Sequence, residues 1–207
     1  MKFGVFAIVF LLWAGSVLAQ ESKSVDPCIA YGQEVNQQVS EWDYAQFEEN
    51  GWRVLASKKC FFAAGSSIVI WLSTHEKEAT PAQTRTLRYH AARVFAMSGR
   101  SQIAQIHLKQ AKNPDQEAGA VPDWNSYIDA FSAWLSRDIS ALRTSIGQLA
   151  LQAEDENGFK PNLIAAKRFL VCYSRPYASI ETDPVCLEEK KDATTTTNDA
   201  IKENSAQ

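Results

Sequence analysis

The sequence predicts an all-α chain of antiparallel helix pairs stacked in a short α-solenoid, behind an N-terminal signal peptide. Three observations carry this. Apolar residues recur at helical spacing from Pro27 to about Tyr177, with Ala, Leu, Gln, Glu, Lys and Arg filling most other positions. Alternating strand-like stretches with hairpin turns are missing. The joints between consecutive apolar segments are short, which makes successive helices antiparallel neighbours.

The first 19 residues read as a targeting segment. Lys2 gives a positive start, Phe3 to Trp13 are almost wholly apolar, and Val17-Leu18-Ala19 has the small-x-small form of a signal peptidase site. The apolar run is shorter than the roughly 20 residues a spanning helix needs. No cysteine follows the cleavage site to carry a lipid, so the mature chain is expected to begin at Gln20, with no membrane span after cleavage. Residues 20–187 form the expected helical domain. After Cys186 the chain becomes charged and threonine-rich, and 188–207 are expected to be a disordered polar tail.

Within the domain each helix has a recognisable boundary. Asp26-Pro27 caps and starts a first helix through about Val39. A second runs from about Asp43 to Ser57 with Gly51 inside it. Lys58-Lys59 make a turn into a third, Cys60 to His75, with Phe61, Ala64, Ile68, Trp71 and Leu72 on one stripe. Thr80-Pro81 starts a helix whose apolar face continues to Gly99. Ser101 is expected to cap its partner, which ends near Lys112. Beyond the turn-rich "NPDQEAGAVPD", Trp124–Leu135 and Ile139–Leu151 form another pair, and Asn162 is expected to cap a helix from Leu163 to Tyr173.

Ala92, Phe95, Gly99, Ala104, Leu108 and Ala111 set small residues where two helices cross, a glycine in their turn and bulky residues along the seam. These six positions resemble a tetratricopeptide repeat (TPR), with Pro114 near the closing proline of that family. The flanking units are looser: Gly51 to Ala92 spans 41 residues and Ala92 to Ala130 spans 38, against a family period of about 34. Arg137-Asp138 stands where a glycine turn is expected. "WNSYIDAFSAWLSRDISALRTSIGQLA" and "NLIAAKRFLVCYSRPYASIETDPVC" are similar to bacterial secreted TPR-like proteins of unassigned function. The resemblance implies a helical interaction module with no established activity. It also implies that the first helix of each pair lines a concave groove, here through Thr86, Tyr89, Arg93 and Ala96. Arg93 suits a carboxylate, and Tyr89, one turn away, supplies an apolar body with a polar tip.

Cys28, Cys60, Cys172 and Cys186, an even set in an exported chain, argue for two disulfides. Four cysteines allow three connectivities. Cys28–Cys60 is expected because Cys60 starts a helix able to meet the start of the first, and Cys172–Cys186 because both flank the Pro-containing turn "YSRPYASIETDPV".

The chemistry is sparse. No nucleophile elbow, zinc-protease helix or phosphate loop occurs, and no cofactor or metal is expected, since the cysteines are unpaired in sequence and the histidines far apart. His90 and His107 are expected on the surface, and Glu48-Glu49 and Asp155-Glu156 read as solvated acids. Losing Lys2 with the signal leaves 20 Lys and Arg against 24 Asp and Glu, without the basic excess of a nucleic-acid binder. Trp52, Trp71 and Trp134 sit in apolar stripes and are expected in the core; Trp42 and Trp124, at helix starts, suit either core or binding surface. The expected function is a secreted or periplasmic module for a protein or peptide partner. The alternatives are an inhibitor or immunity-type protein of a secreted enzyme, and an enzyme with dispersed catalytic residues.

Overall fold

The computed structural model describes residues 26–187; the expected signal peptide and polar tail lie outside them. The described residues contain helices and no strand: α1 Pro27–Gln38, followed by a 3₁₀ turn at Val39–Glu41, α2 Tyr44–Asn50, α3 Trp52–Ser57, α4 Phe61–Thr74, α5 Pro81–Met97, α6 Ser101–Ala111, α7 Trp124–Leu135, α8 Ile139–Ala150, α9 Pro161–Val171, α10 Tyr177–Thr182 and α11 Pro184–Leu187. None is long and apolar enough to cross a membrane.

Local chemistry sets most helix starts. Asp26 accepts from the Cys28 N–H ahead of Pro27 at the first helical position. Asp43 with Gln46, and Thr80 with Gln83, form reciprocal capping boxes at α2 and α5. Asp123 and Asp138 cap α7 and α8. Two expected caps are displaced. Arg100, not Ser101, precedes α6, because the turn is complete once the Arg100 N–H reaches Phe95 O. Asn162 lies inside α9, since Pro161 fits its first turn; the Asn162 side chain instead donates to Asp123 O at 3.1 Å.

The helix expected across Asp43–Ser57 is broken at Gly51 into α2 and α3. A Cβ at Gly51 would lie 2.4 Å from the ring of Phe47. Phe47 is fully buried and stacked on Trp71, so the chain can fold back over that ring only where no side chain intervenes.

Three connections share one geometry. Lys59, Gly99 and Arg137 have φ of 62°, 76° and 59°. After each, an N–H reaches back five residues to close the preceding helix: Cys60 to Leu55 O, Arg100 to Phe95 O and Asp138 to Ala133 O. This is the hydrogen bonding of a Schellman C-cap, used three times to reverse the chain. It makes hairpins of α3–α4, α5–α6 and α7–α8, which pack in succession, with α1 on α4 and α9 on α7 and α8.

Small residues set the spacing between them. Ala64, Ala92, Ala104, Ala111 and Ala130 are fully buried. Gly65 lets the Phe95 ring rest on α4, where a Cβ would come within 2.7 Å of it. Phe95 also stacks on His107 and meets Phe62 edge-on. Trp52, Trp71 and Trp134 are buried, as their stripes imply.

Both expected disulfides are present, with Cα atoms 5.2 Å apart for Cys28–Cys60 and 5.7 Å for Cys172–Cys186. Each ties a peripheral helix to the stack and stabilises the fold by about 2–4 kcal/mol. The second closes over a segment expected to be a turn that instead contains α10, so the helical region continues to Leu187. Pro176 precedes α10, and Tyr177 and Ile180, three residues apart, are both buried.

The shared turn yields a paired prediction. Nothing lies within 4 Å of a Cβ built at Gly99, so Gly99→Ala tests backbone conformation alone and should cost about 1 kcal/mol. Lys59→Gly should raise stability by about 0.5 kcal/mol by relieving the left-handed residue. Urea midpoints of the two variants, shifted in opposite directions, check it.

Candidate functional site

The positions expected to line a groove share α5 but do not form an open surface. Ala96 is buried. Tyr89 packs between Trp124 and Tyr127, and its hydroxyl lies 2.9 Å from the Tyr127 hydroxyl. Arg93 is engaged by α10: its Nε donates to Glu181 Oε1 at 3.2 Å and its Nη2 to Oε2 at 2.6 Å. Thr86, half-buried, borders a shallow depression with Arg85, Asn113 and Trp124.

The carboxylate expected for Arg93 is thus supplied from within the chain. Tyr177, one turn before Glu181, donates to Glu181 Oε1 at 2.7 Å and stacks on Phe131 with ring centres 4.7 Å apart. A partner carboxylate at Arg93, whose side chain is about one-third exposed, has to compete with Glu181 on a helix whose Tyr177 and Ile180 belong to the core. Burial first, then the neighbouring Glu181, pushes the Tyr177 phenol up; burial followed by Tyr89 does the same for Tyr127. Both phenols therefore stay neutral at physiological pH and act as hydrogen-bonding groups.

Neither histidine expected on the surface is exposed: His107 is buried and His90 half-buried. His90 stacks on Trp52 with centres 4.6 Å apart, and its Nδ1 is buried without a hydrogen-bond partner. Burial, then the charges of Arg93 and Arg53, lower its pKa to about 3. His107 stacks on Phe95, and its Nδ1 lies 3.3 Å from Arg88 Nη1. A guanidinium only donates, so Nδ1 is the acceptor and the ring is neutral. Burial and Arg88 lower its pKa to about 4. Glu48, read as solvated from the sequence, accepts from Trp52 Nε1 and from Arg53.

Away from the face around Arg93, a cleft of about 610 Å³ opens where the end of α4 and the start of α5 meet the segment joining the 3₁₀ turn to α2. Its lining includes Trp42, Tyr44, Trp71 and His75 together with Glu41, Asp43 and Glu78. The floor is fixed. Trp71 is sandwiched between Phe47 and His75, meets Tyr44 edge-on, and donates its Nε1–H to Trp42 O at 2.9 Å. His75 donates through Nδ1 to Trp71 O at 3.1 Å, which in the neutral ring leaves Nε2 to accept. Trp42 is half-buried and Glu41 and Glu78 are exposed.

The sequence brought out Trp42 as a residue suited to either role; it did not single out His75 or the acids beside it. The aromatic residues of this cleft come from three separate elements, joined by the bond from Trp71 to the Trp42 carbonyl and by the contacts of Trp71 with Tyr44 and His75. Among the described residues, no group of three or more His, Cys, Asp or Glu side chains is arranged to hold a metal ion. No family model, curated protein or solved structure matches the chain.

His90 and His107 make stability depend on pH. Above about pH 6.5 both are neutral in the folded and unfolded chains. Below it the unfolded chain takes up protons that the fold excludes, so stability falls from about pH 6.5 towards pH 4 for His107 and pH 3 for His90. Each contributes a slope of up to about 1.4 kcal/mol per pH unit within its window. In urea titrations between pH 7 and 4.5, His107→Gln and His90→Phe should each flatten this slope relative to the parent chain.

Proposed function

We propose that the chain is an exported, TPR-like interaction module, periplasmic or secreted, that holds a partner protein at the cleft around Trp42. The formation of both disulfides fits an oxidising compartment. The observation that carries the reading is the contrast between two surfaces. The α5 face is filled by α10, whereas the Trp42 cleft joins aromatic walls and convergent polar groups on a rigid floor, the usual composition of a binding site. Loops and helix starts held by packed helices are also where binding residues concentrate.

Capture from a cell-envelope extract tests this reading. Trp42 supports Trp71 through its backbone carbonyl, so Trp42→Ala keeps that hydrogen bond while removing a wall of the cleft. Partner capture should fall by about tenfold or more, the scale of a lost aromatic anchor, with the helical circular dichroism retained. Capture that survives Trp42→Ala but is lost in Arg93→Ala would move the working surface to α5. If a captured partner is an enzyme whose turnover drops on binding, the module is an inhibitor.

A further inference from the structure

Resting on that reading of the cleft, we infer that its ligand is an organic cation carried on an apolar stem, an alkylammonium held by the rings of Trp42, Tyr44 and His75 and by the carboxylates of Glu41, Asp43 and Glu78. The lining contains three carboxylates and no Lys or Arg. Glu41 and Glu78 make no ion pair or side-chain hydrogen bond among the described residues, so both are available to a ligand. Asp43 accepts the Gln46 N–H through one oxygen as a cap and adds its charge to the same rim. An anion entering here meets three like charges. A neutral apolar group covers those carboxylates without pairing them, which is unfavourable.

A cation answers both halves of the lining. The electron-rich faces of Trp and Tyr attract an ammonium group, and the methylenes of its stem cover apolar ring surface while the head reaches the acids. The volume, about 610 Å³, exceeds what one ammonium group fills and accommodates a lysine-like side chain with its flanking backbone. His75, with Nδ1 committed to Trp71 O, offers Nε2 as a further acceptor in its neutral form. The same chemistry is presented by a lysine on the surface of a partner protein and by a free diamine.

Calorimetric titration of the exported, oxidised protein with cadaverine and with acetyl-lysine-amide tests the inference directly. Both should bind saturably, and Nε-acetylated acetyl-lysine-amide, which keeps the stem but loses the charge, should not. Glu41→Gln combined with Glu78→Gln should weaken cadaverine at least about tenfold. These are exposed positions, where such changes leave stability nearly unaltered. Raising the salt from about 20 to 200 mM should weaken it severalfold, because the carboxylates are screened. Displacement of a captured partner by cadaverine assigns the cation to that partner's lysine; cadaverine binding with nothing captured assigns it to a free amine. Either supports the inference. Equal binding of the acetylated ligand, or cadaverine affinity unchanged in the double Gln variant, overturns it. If capture still depends on Trp42 while no amine binds, the ligand class is wrong and the interaction reading stands. If amines bind but capture ignores Trp42, the cation site stands and the interaction reading falls.

Discussion

A layer of stacked aromatic rings holds the C-terminal half of the molecule together. Tyr89 of α5 meets Tyr127 of α7; Tyr127 and Phe131 stack on Phe169 of α9; and Phe131 stacks on Tyr177 of α10. Four helices thus contribute to one layer, and rings in such contact gain about 0.5–1.5 kcal/mol per pair beyond the area they bury. The layer lies between α10 and the hairpins of α5 and α7. There α10 packs on it, held by Arg93 on Glu181 and by the Cys172–Cys186 bridge that ties its flank to the end of α9.

The N-terminal half obeys a different constraint. There the helices are brought close by what is absent from their surfaces: Gly65 under Phe95, Gly51 beside Phe47, and Gly32, whose Cβ would lie 3.2 Å from that of Ala63. The break at Gly51 turns α3 away from α2, while Trp71 bonds to the Trp42 carbonyl below the 3₁₀ turn. The same two features that complete the core therefore leave the rim of Trp42, Tyr44 and the acids standing beside the end of α4. The packing and the cleft share their cause, and no residue of the cleft has a left-handed backbone.

Much of the fold was legible because its signals are local. Asp26-Pro27, Thr80-Pro81 and Gly99 act within a few residues, and the sequence placed each in its role. The small residues at Ala92 and Ala104 and the bulky Phe95 and Leu108 were equally readable, as all are buried where hairpin packing requires. Lys59 and Arg137 were harder to read, since a left-handed turn residue other than glycine leaves no mark in composition. His90 and His107 were misplaced because nothing near either in sequence marks the distant rings, Trp52 and Phe95, on which they stack. The partnership of Arg93 with Glu181 bridges 88 residues and was invisible to any periodicity. The carboxylate that Arg93 calls for was anticipated; its source within the chain was not.

Amide hydrogen exchange on the oxidised protein tests this packing of α10 most directly, because exchange reports the free energy of local opening element by element. If α10 seals the aromatic layer, its bonded amides, such as the Asp183 N–H donated to Ser179 O, should be protected nearly as strongly as those of α9. Exchange of α10 at the rate of the exposed loop around residues 154–158, with α5 and α7 still protected, would contradict the account and reopen the face beneath it.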